Sequence, residues 1–254
     1  MKKPVRNYLK LVNELINMQT PFDTEILGTV IYEQGFPFVS LHTHSKLAKY
    51  NVVINSGAHG EEIIAIRVML RFIAEFNKEL LNHYNFIIFP VINPYGYTYN
   101  RRKNGQGILA NTGFTEGASA VIPNESILIR DALPNKIDLF IDVHADTGAR
   151  GKTGFYIYER KRPEAKSIAE VSLKELKKNK IPILDNDTVY GEKCENGVIV
   201  SPIKDGSMDD SMFKRGAIYS LCLEIPGRAS EEQQMLGGLM LINSVLNQFK
   251  ELKK

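Results

Sequence analysis

Cysteine is scarce in this chain of 254 residues, where only Cys194 and Cys222 occur. Two such cysteines build neither a disulfide framework nor a Cys-x-x-Cys metal pair, so free thiols are expected. Long apolar runs are missing too. No stretch approaches the roughly 20 apolar residues of a membrane span. The charged start Met1-Lys2-Lys3-Pro4-Val5-Arg6 leads into no unbroken apolar segment and no small-residue cleavage site. These absences predict no membrane partner and a cytoplasmic protein. Charge of one sign is lacking as well: 32 Lys and Arg face 29 Asp and Glu, and the basic residues are dispersed outside 174–180 and Lys253-Lys254. A short charge run is ordinarily a solvated helix face, so no nucleic-acid partner is expected. The sequence shows no internal repeat and no low-complexity segment.

What is present suffices for a large core. With 43% hydrophobic residues the chain predicts one domain over 1–254. Tyr8, Leu11, Leu15 and Met18 recur at helical spacing over 7–18. Short β-rich runs at 26–32 and 36–42 flank Glu33-Gln34-Gly35 and predict a hairpin. A buried strand at 51–56, a helix-patterned run at 61–78 and a second buried strand at 86–92 make a βαβ unit. Strands at 139–144, 155–158 and 217–225, with a helix at 163–180, continue the alternation. A capping-box pattern, Ser230-Glu231-Glu232-Gln233, opens a closing helix. The expected class is α/β, with a mostly parallel mixed sheet flanked by helices on both faces.

In such sheets ligands gather outside the carboxyl ends of the strands. His59, Asn93, His144 and Glu224 all fall at or just beyond predicted strand ends. His59-Gly60-Glu61-Glu62 follows the first buried strand, His144 ends the run Leu139-Phe140-Ile141-Asp142-Val143-His144, and Glu224 ends a third run. Two imidazoles and a carboxylate (His59, Glu62, His144) suit one zinc ion with an open position. Glu224 suits the general base of hydrolysis, because a carboxylate closing an apolar strand is costly to bury without a partner or a task. His42 and His44 would share one strand face, but no third ligand lies near them in sequence, and they read as surface residues.

In this order the residues resemble the zinc carboxypeptidase family, of the carboxypeptidase A type, from about Asn51 to Gly227. His59-Gly60-Glu61-Glu62 is similar to the family's His-x-x-Glu pair, and Asn93-Pro94-Tyr95-Gly96 to its Asn-Pro-Asp-Gly loop. Arg102-Lys103-Asn104 matches the Arg-Lys that follows, Asp142-Val143-His144 the third ligand, and the run from Asp205-Gly206-Ser207 to Glu224 the segment closing on the catalytic glutamate. The resemblance implies a zinc carboxypeptidase-like fold, Glu224 as base and later proton donor, and Arg102 facing the oxyanion. A guanidinium suits that task because its fixed charge stabilises most when the carbonyl oxygen becomes negative.

Departures accompany the matches. Asn111 keeps the family's first asparagine in Gly107-Ile108-Leu109-Ala110-Asn111-Thr112-Gly113, but Thr112 stands where the family has the arginine that clamps a substrate carboxylate. A neutral hydroxyl does not replace a bidentate guanidinium. Leu109 stands in place of an aspartate that orients a zinc-bound histidine; Asp142, two residues before His144 on the strand, or a backbone carbonyl would take over that outer contact. Alignment leaves Met208 or Asp209 at the base of the side-chain pocket. Methionine there favours an apolar group, and aspartate a cationic one such as lysine or the amino end of diaminopimelate. No tyrosine directly precedes Asp205-Gly206-Ser207, where the family usually has one over the substrate; Tyr190 and Lys204 are the residues considered in its stead.

The favoured function is zinc-dependent cleavage of an amide bond in a peptide or murein peptide. The turn Glu224-Ile225-Pro226-Gly227 is similar to that of murein-peptide amidases on this scaffold. The alternatives are an N-acyl amino acid deacylase, of the succinylglutamate desuccinylase and aspartoacylase branch, and a binding protein that has lost catalysis. The expected partner is a small peptide or acylated amino acid.

Overall fold

The computed structural model describes residues 3–114, 121–147, 151–185, 187–200, 202 and 204–252, so Met1, Lys2, Lys253 and Lys254 lie outside the described residues. In chain order the elements are α1 (Tyr8–Asn17), β1 (Asp23–Ile31), β2 (Gly35–His42), β3 (Tyr50–Ser56), α2 (Ile63–Ala74), a 3-10 turn (Lys78–Asn82), β4 (Tyr84–Phe89), α3 (Pro94–Tyr99) and α4 (Asn124–Ala132). They continue with β5 (Leu139–Ala145), β6 (Tyr156–Lys161), α5 (Ile168–Lys178), β7 (Asp187–Val189), β8 (Glu192–Cys194), β9 (Val198–Val200), α6 (Met208–Lys214), β10 (Tyr219–Ile225) and α7 (Glu231–Glu251).

One mixed sheet carries the order β1-β2-β4-β3-β5-β10-β6-β9. Its centre is parallel: β3 pairs with β4 and β5, and β5 with β10, while β9 lies parallel to β6. The pairs β1–β2, β2–β4 and β10–β6 are antiparallel. Alternate residues of each strand enter two apolar layers, because successive side chains point to opposite faces. Val52, Ile54, Ile141 and Leu223 pack with Leu11, Ile66, Leu173 and Val245 of α1, α2, α5 and α7. Val53 and Phe140 pack on the other face with Ile129 of α4 and Met208 and Met212 of α6. Helices thus cover both faces of one α/β domain. Among the described residues no helix is long and apolar enough to cross a membrane.

Element ends follow local chemistry. Helix α2 stops at Ala74 rather than running on to Lys78, because the Asn77 side chain accepts the Glu79 N–H and starts the separate 3-10 turn. Helix α5 begins only at Ile168, where the Ser167 hydroxyl accepts the Glu170 N–H. Helix α7 opens on the expected capping box of Ser230 and Gln233.

Candidate active site

Strands β3, β5 and β10 are neighbours and run parallel, so their carboxyl ends meet at one edge of the sheet. Glu224 stands in register with His144, and Cys222 with Asp142. In parallel strands matched residues share a face, so the α4/α6 face changes character along β5: Phe140 belongs to the apolar layer, and Asp142 and His144 continue it as polar groups. The antiparallel partner β6 sets Tyr156 opposite Glu224, Tyr158 opposite Cys222 and Arg160 opposite Ser220. A cleft of about 350 Å³ opens over this face, lined among others by His59, His144, Glu224, Asn111, Arg160 and Asp209.

His59, Glu62 and His144 are buried, and one ligand-type atom of each lies within 4.8 Å of the others. The Glu62 carboxylate lies between the rings, with Oε1 2.7 Å from His59 Nδ1 and Oε2 3.0 Å from His144 Nδ1. Oε2 also accepts the Ala145 N–H at 3.1 Å. The segment from His59 to Glu62 is held by backbone packing. A side chain at Gly60 would place its Cβ 1.9 Å from the Gly96 carbonyl carbon, so only glycine fits there. Asn93 caps α3 by accepting the Gly96 N–H at 2.7 Å, and its amide donates to the carbonyls of Ala58 at 3.2 Å and Arg102 at 3.1 Å. The Asn-Pro-Tyr-Gly loop therefore joins the His59 and Arg102 segments from beneath.

Burial alone would lower the His144 imidazole, but the carboxylates of Asp142 and Glu62 outweigh it and push the ring well above its usual value. Burial likewise would raise Glu62, and His144 and His59 together overcome that and hold it below the ordinary carboxylate range. His59 moves down through burial, with Glu62 opposing. At Glu224 burial dominates; His144 pulls it down, but Glu62, Asp146 and Asp142 repel its charge, and it lies well above the usual range.

The trio fits a divalent cation. Its donor set is that of zinc sites with three protein ligands, and the buried Nε2 of His59 has no hydrogen-bond partner among the described residues. His144 Nε2 lies 3.1 Å from Asp142 Oδ2, and Asp142 Oδ1 accepts the Asn55 amide at 2.8 Å. Asp142, rather than a backbone carbonyl, thus makes the outer contact to His144. His42 stands apart, 2.7 Å from the Ser40 hydroxyl and 3.5 Å from Glu25.

The other expected residues divide. Arg102 reaches Glu62 Oε1 at 3.2 Å and Glu61 Oε1 at 3.5 Å with a half-exposed side chain, whereas Arg101 contributes its carbonyl to the Gly60 N–H. Asn111 lines the cleft, and its buried Oδ1 has no hydrogen-bond partner among the described residues. Thr112 does not line the cleft: its hydroxyl donates to the Leu109 carbonyl at 2.8 Å in the local turn. Met208 is likewise displaced from the pocket base, fully buried in the apolar layer. One helical step turns the next residue, Asp209, to the cleft.

Sequence reasoning missed Arg160. The expected strand ends at Tyr158, three residues short of the end of β6 at Lys161. Extending the alternation Tyr156, Tyr158, Arg160 would have found it. Its Nε donates to Asp209 Oδ2 at 3.2 Å and its Nη1 to the Pro202 carbonyl at 2.7 Å. The Ser207 hydroxyl contacts carboxylate oxygens of both Asp205 and Asp209. Burial pushes Asp209 up, while Ser207 and Arg160 oppose the shift.

Residues 25–118 match the family model of the zinc carboxypeptidases. No curated protein sequence matches the chain. Among solved structures, a candidate metallopeptidase from Shewanella amazonensis SB2B shares 23% identity at a TM-score of 0.78, with 98% of each chain covered. A second candidate metallopeptidase, from Shewanella denitrificans OS217, shares 20% at 0.76, covering 95% of this chain and 88% of that one. A metallo-carboxypeptidase from Pseudomonas aeruginosa, in complex with (2-guanidinoethylmercapto)succinic acid, shares 14% at 0.69, covering 96% and 68%. The match to the zinc carboxypeptidase model spans less than half of the chain, and along its length the chain has the metallo-carboxypeptidase fold.

Proposed function

We propose that this protein is a zinc-dependent hydrolase that cleaves an amide bond in a peptide or murein peptide, with Glu224 as general base. The observation that carries this reading is the joint geometry of two groups: the His59, Glu62, His144 trio and a raised carboxyl, Glu224, which faces the same cleft in register with His144. Zinc held by the trio would polarise the scissile carbonyl and acidify the attacking water. Glu224 takes the proton from that water and passes it to the leaving nitrogen, a task favoured by a carboxyl shifted toward neutrality. Arg102, turned toward Glu62, offers its guanidinium to the negative charge that develops on the carbonyl oxygen. The unpartnered Asn111 Oδ1 accepts an N–H of the substrate.

The cleft wall supports a substrate class. Asp205, Asp209 and Glu192 line it alongside the guanidinium of Arg160, so a leaving residue with a cationic group fits better than an acidic or apolar one. The test is a substrate panel offered to zinc-loaded protein after elemental analysis. Release of the C-terminal residue from short peptides ending in lysine or diaminopimelate is expected. Release of acetate or succinate from N-acyl amino acids, without peptide cleavage, would transfer the protein to the deacylase reading, and no turnover on any member would remove hydrolysis.

A further inference from the structure

The segment 101–113 contains neither helix nor strand, yet it carries both Arg102, turned toward Glu62, and Asn111, which lines the metal cleft. Side chains give it its shape. Asn104 is the centre of its first half: the amide oxygen accepts the N–H groups of Gln106 at 3.0 Å and Ile108 at 3.2 Å, and the amide nitrogen donates to Gln106 Oε1 at 3.2 Å and Glu125 Oε2 at 2.8 Å. All four hydrogen-bonding positions of that amide are filled.

Glu125, in the first turn of α4, is fully buried, and its other oxygen, Oε1, accepts the Tyr32 hydroxyl at 2.7 Å. The Tyr32 ring lies against Gly105, where a Cβ would come within 2.2 Å of it, and meets Tyr95 edge-on with 5.4 Å between ring centroids. Tyr95 belongs to the loop whose Asn93 holds the Arg102 carbonyl. The next residue of α4, Ser126, is also buried and holds the second half of the segment. Its hydroxyl donates to the Thr112 carbonyl at 2.7 Å and lies 3.3 Å from the Ala110 carbonyl, on either side of Asn111. Two adjacent residues of one helical turn thus grip an irregular segment at both ends. The helix backbone fixes the spacing of the two grips, which a segment without them would have to find at a cost in conformational entropy.

We infer that Glu125 and Ser126 are positioning residues of the site: Glu125, through Asn104, sets Arg102 against the reacting carbonyl, and Ser126 sets Asn111 against the substrate N–H. Neither lines the cleft. The inference rests on the hydrolase reading for what Arg102 and Asn111 meet, and it goes further by dividing the segment into a half that sets the rate and a half that sets binding. A charge aimed at the developing oxyanion acts most in the transition state, so disturbing the first half lowers kcat. A contact made alike to bound substrate and transition state acts on KM. Zinc-loaded protein is tested on a short peptide ending in lysine, and on its analogue with a methyleneamine in place of the scissile amide.

Glu125→Ala should keep the parent's zinc content while kcat falls about 10- to 100-fold, the scale of a reacting group misplaced by about 1 Å. Asn104→Ala removes the same contact from the other side and leaves α4 intact; it should act alike, and it carries the test if Glu125→Ala does not fold. Glu125→Gln accepts from Asn104 and donates to the Tyr32 hydroxyl oxygen, so it should recover most of the loss. In an Arg102→Ala background, adding Glu125→Ala should lower kcat no further, because both act through one guanidinium. Ser126→Ala should instead raise KM, and the Kd of the analogue, about tenfold, the scale of one hydrogen bond, with a smaller change in kcat. Parent kcat and KM in every variant overturn the proposal, as does a Glu125→Ala loss that persists in full without Arg102 or that glutamine does not recover; α4 would then be plain structural support. If the parent binds the analogue and Ser126→Ala weakens it, but the ordinary peptide is never cleaved, the hydrolase reading falls and the placing of Asn111 stands. Cleavage at the parent's rate by all variants does the reverse, and a parent that neither binds nor cleaves removes both.

Discussion

Two glutamates, Glu62 and Glu224, stand at the ends of neighbouring elements in one site, and their surroundings push them in opposite directions. Glu62, at the mouth of α2, has an imidazole against each oxygen and a backbone N–H on one of them. Glu224, at the end of β10, is partly exposed to the cleft and has the carboxylates of Glu62, Asp146 and Asp142 acting on it, with the Cys222 thiol donating to it at 3.7 Å. Burial raises both; at Glu62 the imidazoles win, and at Glu224 they do not. The difference divides the labour. A carboxyl that stays ionised suits a cation ligand, and one that holds a proton readily suits acid and base work.

The most damaging test of the ligand side is His144→Ala. Losing one of three protein ligands should abolish stoichiometric zinc binding and all detectable turnover, read by elemental analysis after dialysis. Full zinc content in that variant would contradict the ligand set. On the other side, Glu224→Gln should keep zinc while kcat falls about 10³-fold or more. Normal turnover would take the base role from Glu224, and loss of zinc would erase the contrast between the two carboxyls.

A smaller effect is expected from Asp142→Asn. The aspartate accepts from both Asn55 and His144, and an amide nitrogen in place of Oδ2 would face the His144 Nε2–H as a second donor. Such outer contacts are typically worth about 10- to 100-fold in metal affinity. Chelator competition should show that loss, together with weakening on acidification in the parent protein. The sign follows from His144: its raised imidazole must lose a proton to bind metal, so affinity falls as pH drops below its folded value. Affinity flat across that range would argue against His144 as a ligand.

The same contrast explains what could be seen in the sequence. Strands at 51–56 and 139–144 and the strand ending at Glu224 were legible because buried parallel strands are unbroken apolar runs. Their functional residues stood out as the polar groups that end those runs. The residues of the cleft wall were harder. Arg160 sits in Tyr156–Lys161, where polar and apolar residues mix because one face meets the cleft. Met208 and Asp209 differ only by a helical step, which an alignment that slips by one residue cannot assign. Tyr190 sits in the turn between two strands of three residues each, too short to carry a period. Asn93 was visible as a strand-end residue, yet its hydrogen bonds to Ala58 and Arg102 come from chain crossings that no local pattern encodes.

The subtlest consequence of the contrast concerns stability without metal. Glu62, held low, contributes stability that is present above its unfolded value of about 4.3 and is lost as pH falls through its lower folded value. Glu224, held high, does the opposite: the fold binds its proton more tightly than the unfolded chain, so its charge costs stability once pH rises above the unfolded value, and the cost is complete above the folded one. At neutral pH, Glu224→Gln should therefore raise the Tm of the zinc-free protein by a few degrees, while Glu62→Gln, which leaves two imidazoles short of an anion, should lower it. At pH values well below 4 the Glu224→Gln gain should disappear, because the parent carboxyl is then protonated in both states. Calorimetry on the zinc-free variants across that range checks the signs. If Glu224→Gln proved as destabilising as Glu62→Gln at neutral pH, the two carboxyls would be equivalent structural groups and the division of labour between them would lose its physical basis.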